Sequence, residues 1–159
     1  MVGLKCRVNH YFIPLIIETD ATEKARDFYS SLPDTCAASM SVYEEAFFVG
    51  LRLISQDEFG ISSTAKLKEH IRHEGYGFAD EFIRNLNEVF SGLVIVPDSV
   101  NLNRIEEIAR TYSLLPNDAL IIATCRDHSI QKIATFDKDF SRIKDPSRVK
   151  IENRPSSHP

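Results

Sequence analysis

No CxxC pair occurs in this 159-residue sequence, and its three cysteines, Cys6, Cys36 and Cys125, are scattered. An odd, unpaired set of thiols argues against a structural zinc and for a reducing, cytoplasmic setting. Positive charge is not in excess either. Nineteen Lys and Arg stand against 23 Asp and Glu, a formal net charge of −4. No general basic field draws nucleic acid to such a chain, so any RNA binding has to rest on a local patch. Long apolar runs are missing as well. The run from Tyr11 to Ile17 is too short to span a membrane and contains Pro14. No basic segment or small-residue cleavage site frames it as a signal peptide. Internal repeats, low-complexity segments, a glycine-rich phosphate loop, a supported Ser-His-Asp order and a nucleophile elbow are all absent.

What remains is an ordinary globular composition, 43% hydrophobic and 26% charged. The length predicts a single domain over 1–152 with a real core, and a disordered tail over 153–159. Leu4 to Val8 reads as a first, central strand. Thr22 or Asp20 caps a helix through Lys24, Ala25, Phe28 and Tyr29 that stops near Pro33. Thr35 to Met40 reads as a second strand. Ser41 is placed as the cap of an apolar helix over Val42 to Ile54, with Glu44 completing a capping box. Ser62 or Ser63 starts a helix over Thr64 to His73, which Gly75-Tyr76-Gly77 breaks. Phe78, Phe82, Leu86 and Val89 or Phe90 then mark one face of another helix. Leu93 to Val96 reads as a buried strand. Val100 to Tyr112 reads as an amphipathic helix with Leu102, Ile105, Ile108 and Ala109 inward. Arg148 to Glu152 completes the chain as an edge strand. Strands alternating with helices imply a mostly parallel sheet covered on both faces.

The most informative stretch is Leu115 to Phe140, LPNDALIIATCRDHSIQKIATFDKDF. It reads as a helix, a loop, a strand and a turn. Asp118 falls two residues after Pro116, in a first helical turn where proline is tolerated. The apolar run Ala119 to Ala123 implies a buried helix, so Asp118 needs a partner, the helix dipole or a metal. Lys132 to Phe136 reads as a strand that delivers Asp137 to the carboxyl edge of the sheet, where open α/β sheets bind ligands. Two carboxylates aimed at one point suit Mg²⁺ or Mn²⁺.

Pro-Asn-Asp-Ala-Leu-Ile-Ile-Ala-Thr at 116–124 followed by Ala-Thr-Phe-Asp-Lys-Asp-Phe at 134–140 resembles the C-terminal half of a PIN domain. That family includes metal-dependent ribonucleases, among them the VapC-type toxins of toxin–antitoxin pairs. The resemblance implies a three-layer α/β/α sandwich with a short, mostly parallel central sheet. It also implies cleavage of RNA with Mg²⁺ (or Mn²⁺), an antitoxin partner and a homodimer. It places the second acid on Glu45, within Ser41 to Val49, the third on Asp118 and the fourth on Asp137, with Asp139 as a fallback. Thr135 matches the small hydroxyl residue before the fourth acid. The bland readings are two glutamates favouring a helix start, a helix-terminal charge, a turn aspartate and an ordinary strand threonine.

At the first acid the sequence departs from the family. The Asp-x-Asn-like motif at the end of the first strand corresponds to Arg7-Val8-Asn9, with Asn9 in the asparagine place and Arg7 where the aspartate belongs; a shifted register puts Asn9 itself in the aspartate place, and neither option supplies a carboxylate. A guanidinium stays charged and pairs bidentately with carboxylates. The substitution therefore removes a ligand and adds a positive charge, and it keeps open a reading as a silent PIN-like RNA- or protein-binding domain. Weaker constellations are His70 and His73 with Glu69 and Glu74, which lack a third ligand, and Cys6, which reads as a buried strand residue. Arg126, Lys132, Lys138, Arg142, Lys144 and Arg148 form a basic cluster, either a phosphate-holding rim or a solvated surface. A response-regulator receiver domain would also cluster acids on an α/β sheet, but no stretch here resembles its phosphoacceptor strand.

Overall fold

The computed structural model describes residues 5–7, 16, 17, 22–30, 36–135, 137–143 and 150–152. In chain order these form β1 (Lys5–Arg7), α1 (Thr22–Ser30), β2 (Cys36–Ser39), α2 (Met40–Phe59), α3 (Thr64–Glu74) and a 3-10 turn (Gly77–Ala79). There follow α4 (Asp80–Ser91), β3 (Val94–Val96), α5 (Leu102–Tyr112), α6 (Pro116–Asp127), β4 (Lys132–Ala134), a second 3-10 turn (Lys138–Arg142) and β5 (Lys150–Glu152). The strands pair in the order β3-β2-β1-β4-β5, and every pairing is parallel. β1 is central, as its sequence predicts. The chain first builds outward through β2 and β3, then returns across β1 to add β4 and β5. Crossovers between parallel strands are right-handed as a rule, so building in opposite directions from β1 puts helices on opposite faces of the sheet, in three layers. The reversal at β1 leaves a crevice at the carboxyl ends of the strands.

α6 is the central helix of the core. Ala119 and Ile121 through Cys125 are all buried, because the helix is apolar on nearly every side. Its one buried hydroxyl is satisfied twice: Thr124 Oγ1 donates to the Leu120 carbonyl at 2.8 Å and accepts from the Ser99 N–H at 3.0 Å. α4 buries Phe82, Leu86 and Phe90 at helical spacing against α2, which has Gly50 where the Phe82 ring approaches. Ser63 caps α3 by accepting from Lys66 N–H at 3.2 Å, and Gly75 ends that helix with φ at 73°.

Four expectations need correction. The N-cap of α2 is Ser39, in extended geometry, and not Ser41. Ser41 lies inside the first turn, where Asp98 satisfies its N–H, and Glu44 is exposed and closes no capping box. β3 is an edge strand with Val94 and Ile95 exposed, so only Val96 faces the core. Leu102 is 78% exposed, because Asn101 caps α5 and leaves Leu102 in its outer first turn. β4 ends at Ala134, so Thr135 lies just past the strand. The predicted tail over 153–159 and the helix stop at Pro33 lie outside the described residues.

Candidate functional site

Four segments end or begin at the carboxyl edge of the sheet. β1 ends on Arg7, paired in register with Ala134 of β4. β2 runs directly into α2, whose second turn carries Glu45. α6 begins at Pro116 and carries Asn117 and Asp118 in its first turn. β4 runs into Thr135 and Asp137.

Glu45 and Asp118 are both half-buried. Asn117 Nδ2 donates to Glu45 Oε2 at 2.5 Å, which ties the second turn of α2 to the residue preceding Asp118. Asp118 lies in the first turn of α6, where the helix dipole favours its charge. Thr135 is buried, and its hydroxyl accepts from the Asp137 N–H at 2.9 Å. The Asp137 carboxylate in turn accepts from the Asp139 N–H at 2.8 Å, a capping turn that starts the following 3-10 segment. Asp139 forms an ion pair with Arg142 at 3.0 Å, which suits the turn role and not the fallback site role. The side chain of Arg7, all of Asn9, Lys144 and Arg148, and the side chain of Lys138 lie outside the described residues. Arg142 is exposed and donates to the Ser113 carbonyl at 2.9 Å, while Arg126 lies over the Tyr112 ring, 5.9 Å from its centroid.

Beside this edge lies a groove of about 460 Å³ lined by Met40, Tyr43, Glu44, Phe47, Asp98 and Asn117 among others. It lies on the Glu44 side of α2, and Glu45, Asp118 and Asp137 are not among its walls. Sequence reasoning missed two residues that shape the region, Asp98 and Asn117. Asn117 stands inside the informative stretch, one residue before Asp118. Asp98 follows a proline in a loop, with no local sign of its partner. His70 is packed between Phe59 and Phe78 at 4.6 and 5.1 Å between ring centroids, which is the environment of a packed imidazole and not of a metal ligand.

The sequence matches the family model of the PIN domain over residues 10–146. This chain belongs to the PIN domain family. The match starts at residue 10, so Arg7-Val8-Asn9 lies outside it. Two stretches are similar to curated ribonucleases of Methanocaldococcus jannaschii. One is 41% identical to ribonuclease VapC2 over 63 residues, 40% of this chain and 41% of the relative. The other is 57% identical to ribonuclease VapC6 over 37 residues, 23% of this chain and 24% of the relative. The chain thus matches less than half the length of either. Among solved structures, a toxin–antitoxin complex from Klebsiella pneumoniae aligns with a TM-score of 0.58 at 19% identity, covering 88% of this chain and 92% of that one. VapC20 of Mycobacterium tuberculosis, a sarcin–ricin-loop-cleaving toxin, aligns at 0.56 and 15% identity, covering 88% and 95%. FitAcB of Neisseria gonorrhoeae aligns at 0.53 and 19% identity, covering 94% and 96%. At these identities the structures show a shared fold.

A PIN site that uses a hard divalent cation needs several oxygen ligands converging on one point. Among the described residues, no three His, Cys, Asp or Glu side chains stand close enough to hold a metal ion. One oxygen of Glu45 is taken by Asn117, and one of Asp137 by its own turn. The central strand ends on Arg7, a cationic residue type.

Proposed function

We propose that this PIN domain is a VapC-type endoribonuclease whose phosphodiester hydrolysis is weakened by Arg7. The observation that carries the reading is the meeting of α2, α6 and the end of β4 at one sheet edge, with Glu45 joined through Asn117 to the turn that carries Asp118. Family membership and similarity to two VapC ribonucleases support RNA as the substrate class. Glu45, Asp118 and Asp137 are the acidic residues of the site, and Thr135 orients the turn that carries Asp137.

PIN and VapC ribonucleases generally depend on a divalent metal. In this chain Arg7 opposes that requirement. Its backbone lies at the end of the central strand, level with Ala134 and one residue short of Thr135. An arginine stays charged, and positive charge carried at the end of the central strand would oppose a divalent cation at the same sheet edge by Coulomb repulsion. It attracts an RNA phosphate, but it cannot lower the pKa of a bound water as a metal does. RNA binding is therefore better preserved than RNA cleavage.

That asymmetry favours a second reading, a PIN domain that binds RNA or protein without cutting. Direct measurement separates the two: slow but measurable cleavage of a generic RNA by the unmodified chain supports the enzyme, and binding with no cleavage at any Mg²⁺ or Mn²⁺ concentration supports the silent domain. An antitoxin partner belongs to the proposal, because a structural relative is a toxin–antitoxin complex. A homodimer belongs to it as well, on the strength of the apolar side chains that α2 and β3 leave exposed. Among the described residues no helix is long and apolar enough to cross a membrane. Action in the cytoplasm is also part of the proposal.

A further inference from the structure

Building on the ribonuclease reading, we propose that Asn117 is a positioning residue for Glu45, fixing one carboxylate oxygen so that the other faces the site. The contact joins residues 72 apart in sequence, on two different helices. Its polarity is set by chemistry. Glu45 as a carboxylate only accepts, so the amide must present Nδ2 and not Oδ1. Both residues are half-buried, so water competes less for the carboxylate than at an open surface. Pro116 at the first position of α6 pre-sets the turn from which Asn117 projects.

Positioning is distinguished from simple helix docking by the other ties on α2. Ser41 is held by Asp98, through its N–H at 3.0 Å and its hydroxyl at 2.7 Å. Tyr43 Oη donates to Asn87 Oδ1 at 2.7 Å. Residues 41, 43 and 45 are thus tied to three different elements around the start of one helix. The first two ties hold α2 in place without Asn117. The third acts on the carboxylate itself. A neutral amide can do this without cancelling the charge, which a lysine or arginine in its place would do. The same turn of α6 carries Asp118, so a single turn sets the relation between two of the three acids.

Carbodiimide labelling of carboxylates, read residue by residue by mass spectrometry, tests the contact without relying on catalysis. In the unmodified chain Glu45 labels more slowly than its exposed neighbour Glu44. Asn117→Leu raises Glu45 labelling toward that of Glu44 and leaves Asp98 and Glu44 unchanged. Asn117→Asp, near-isosteric but lacking the donor, does the same should the leucine variant not fold, and Asn117→Gln restores protection. In an Arg7→Asp background, Asn117→Leu lowers kcat about tenfold and changes KM less than about twofold, the scale of one hydrogen bond to a charged group. Unchanged Glu45 labelling in the leucine and aspartate variants overturns the proposal. So does labelling that rises at Asp98 and Glu44 as well, which would mark a structural tie. If labelling responds but cleavage in the Arg7→Asp background does not, the positioning role fails and the ribonuclease reading stands. If the Arg7→Asp chain cuts no RNA at all, both fail.

Discussion

Asp98 clasps Ser41 with both carboxylate oxygens, one on the backbone N–H at 3.0 Å and one on the hydroxyl at 2.7 Å. The clasp fills the place of an N-cap side chain, since Ser39 makes no capping hydrogen bond. A donor among the first N–H groups of a helix needs such a partner. Asp98→Ala should therefore cost about 1–2 kcal/mol, the range for a lost cap or charged hydrogen bond. Urea unfolding of the two proteins measures it. A difference below about 0.3 kcal/mol, inside ordinary surface variation, would show that the clasp contributes nothing.

Gly50 of α2 faces the ring of Phe82 on α4. A Cβ there would be driven into the buried ring of Phe82. Alanine is the better helix former by about 1 kcal/mol, yet overpacking a fixed aromatic typically costs about 1–3 kcal/mol. The clash wins, so Gly50→Ala should lower the Tm, and adding Phe82→Leu should recover part of the loss. A Tm raised by Gly50→Ala alone would contradict the packing described.

Leu102 and Ile108 test the corrected face of α5. Ile108 is 1% exposed and Leu102 is 78% exposed. Ile108→Ala should cost about 2–5 kcal/mol, while Leu102→Ser should stay within about 0.5 kcal/mol. Equal costs in chemical denaturation would restore the inward reading of Leu102.

The proposed homodimer makes a prediction of its own. Ala46, Leu51, Phe82, Leu86 and Phe90 are consumed inside the protomer. Phe48 at 41% and Leu53 at 40% exposure remain on α2, and Val94 and Ile95 remain on the edge strand. Sedimentation equilibrium at micromolar concentration should give twice the monomer mass. A monomer mass across that range would remove the dimer.

Much of the fold was legible because local chemistry carried it. The apolar run of α6 after Pro116, the start of α3 at Ser62 or Ser63 and the stripe of Phe82, Leu86 and Val89 or Phe90 each follow from neighbours in sequence. The central place of β1 followed from its brevity and the alternation of elements. What was not legible depended on distant partners. Ser41 looks like a cap until Asp98, 57 residues away, is seen to hold it. The run from Leu93 to Val96 reads as buried by composition, yet only tertiary position makes Val94 and Ile95 part of an exposed edge. Glu45, Asp118 and Asp137 were named from a resemblance, and the fold puts their elements at one edge. Asn117 is an ordinary residue of a helical turn until its amide meets Glu45.

Arg7 is the centre of the functional proposal, and one comparison tests it most directly. Cleavage of a generic single-stranded RNA is followed across a Mg²⁺ and Mn²⁺ titration for the unmodified chain, Arg7→Asp and Arg7→Ala. Restoring the carboxylate adds a ligand and removes the repelling charge, whereas alanine only removes the charge. The predicted order of cleavage rate and of Mn²⁺ affinity is Arg7→Asp above Arg7→Ala above the unmodified chain, with a gain of at least about tenfold for the aspartate, the equivalent of one hydrogen-bond-scale interaction in the transition state. An unmodified chain that cuts RNA with Mg²⁺ as fast as Arg7→Asp would contradict the proposal.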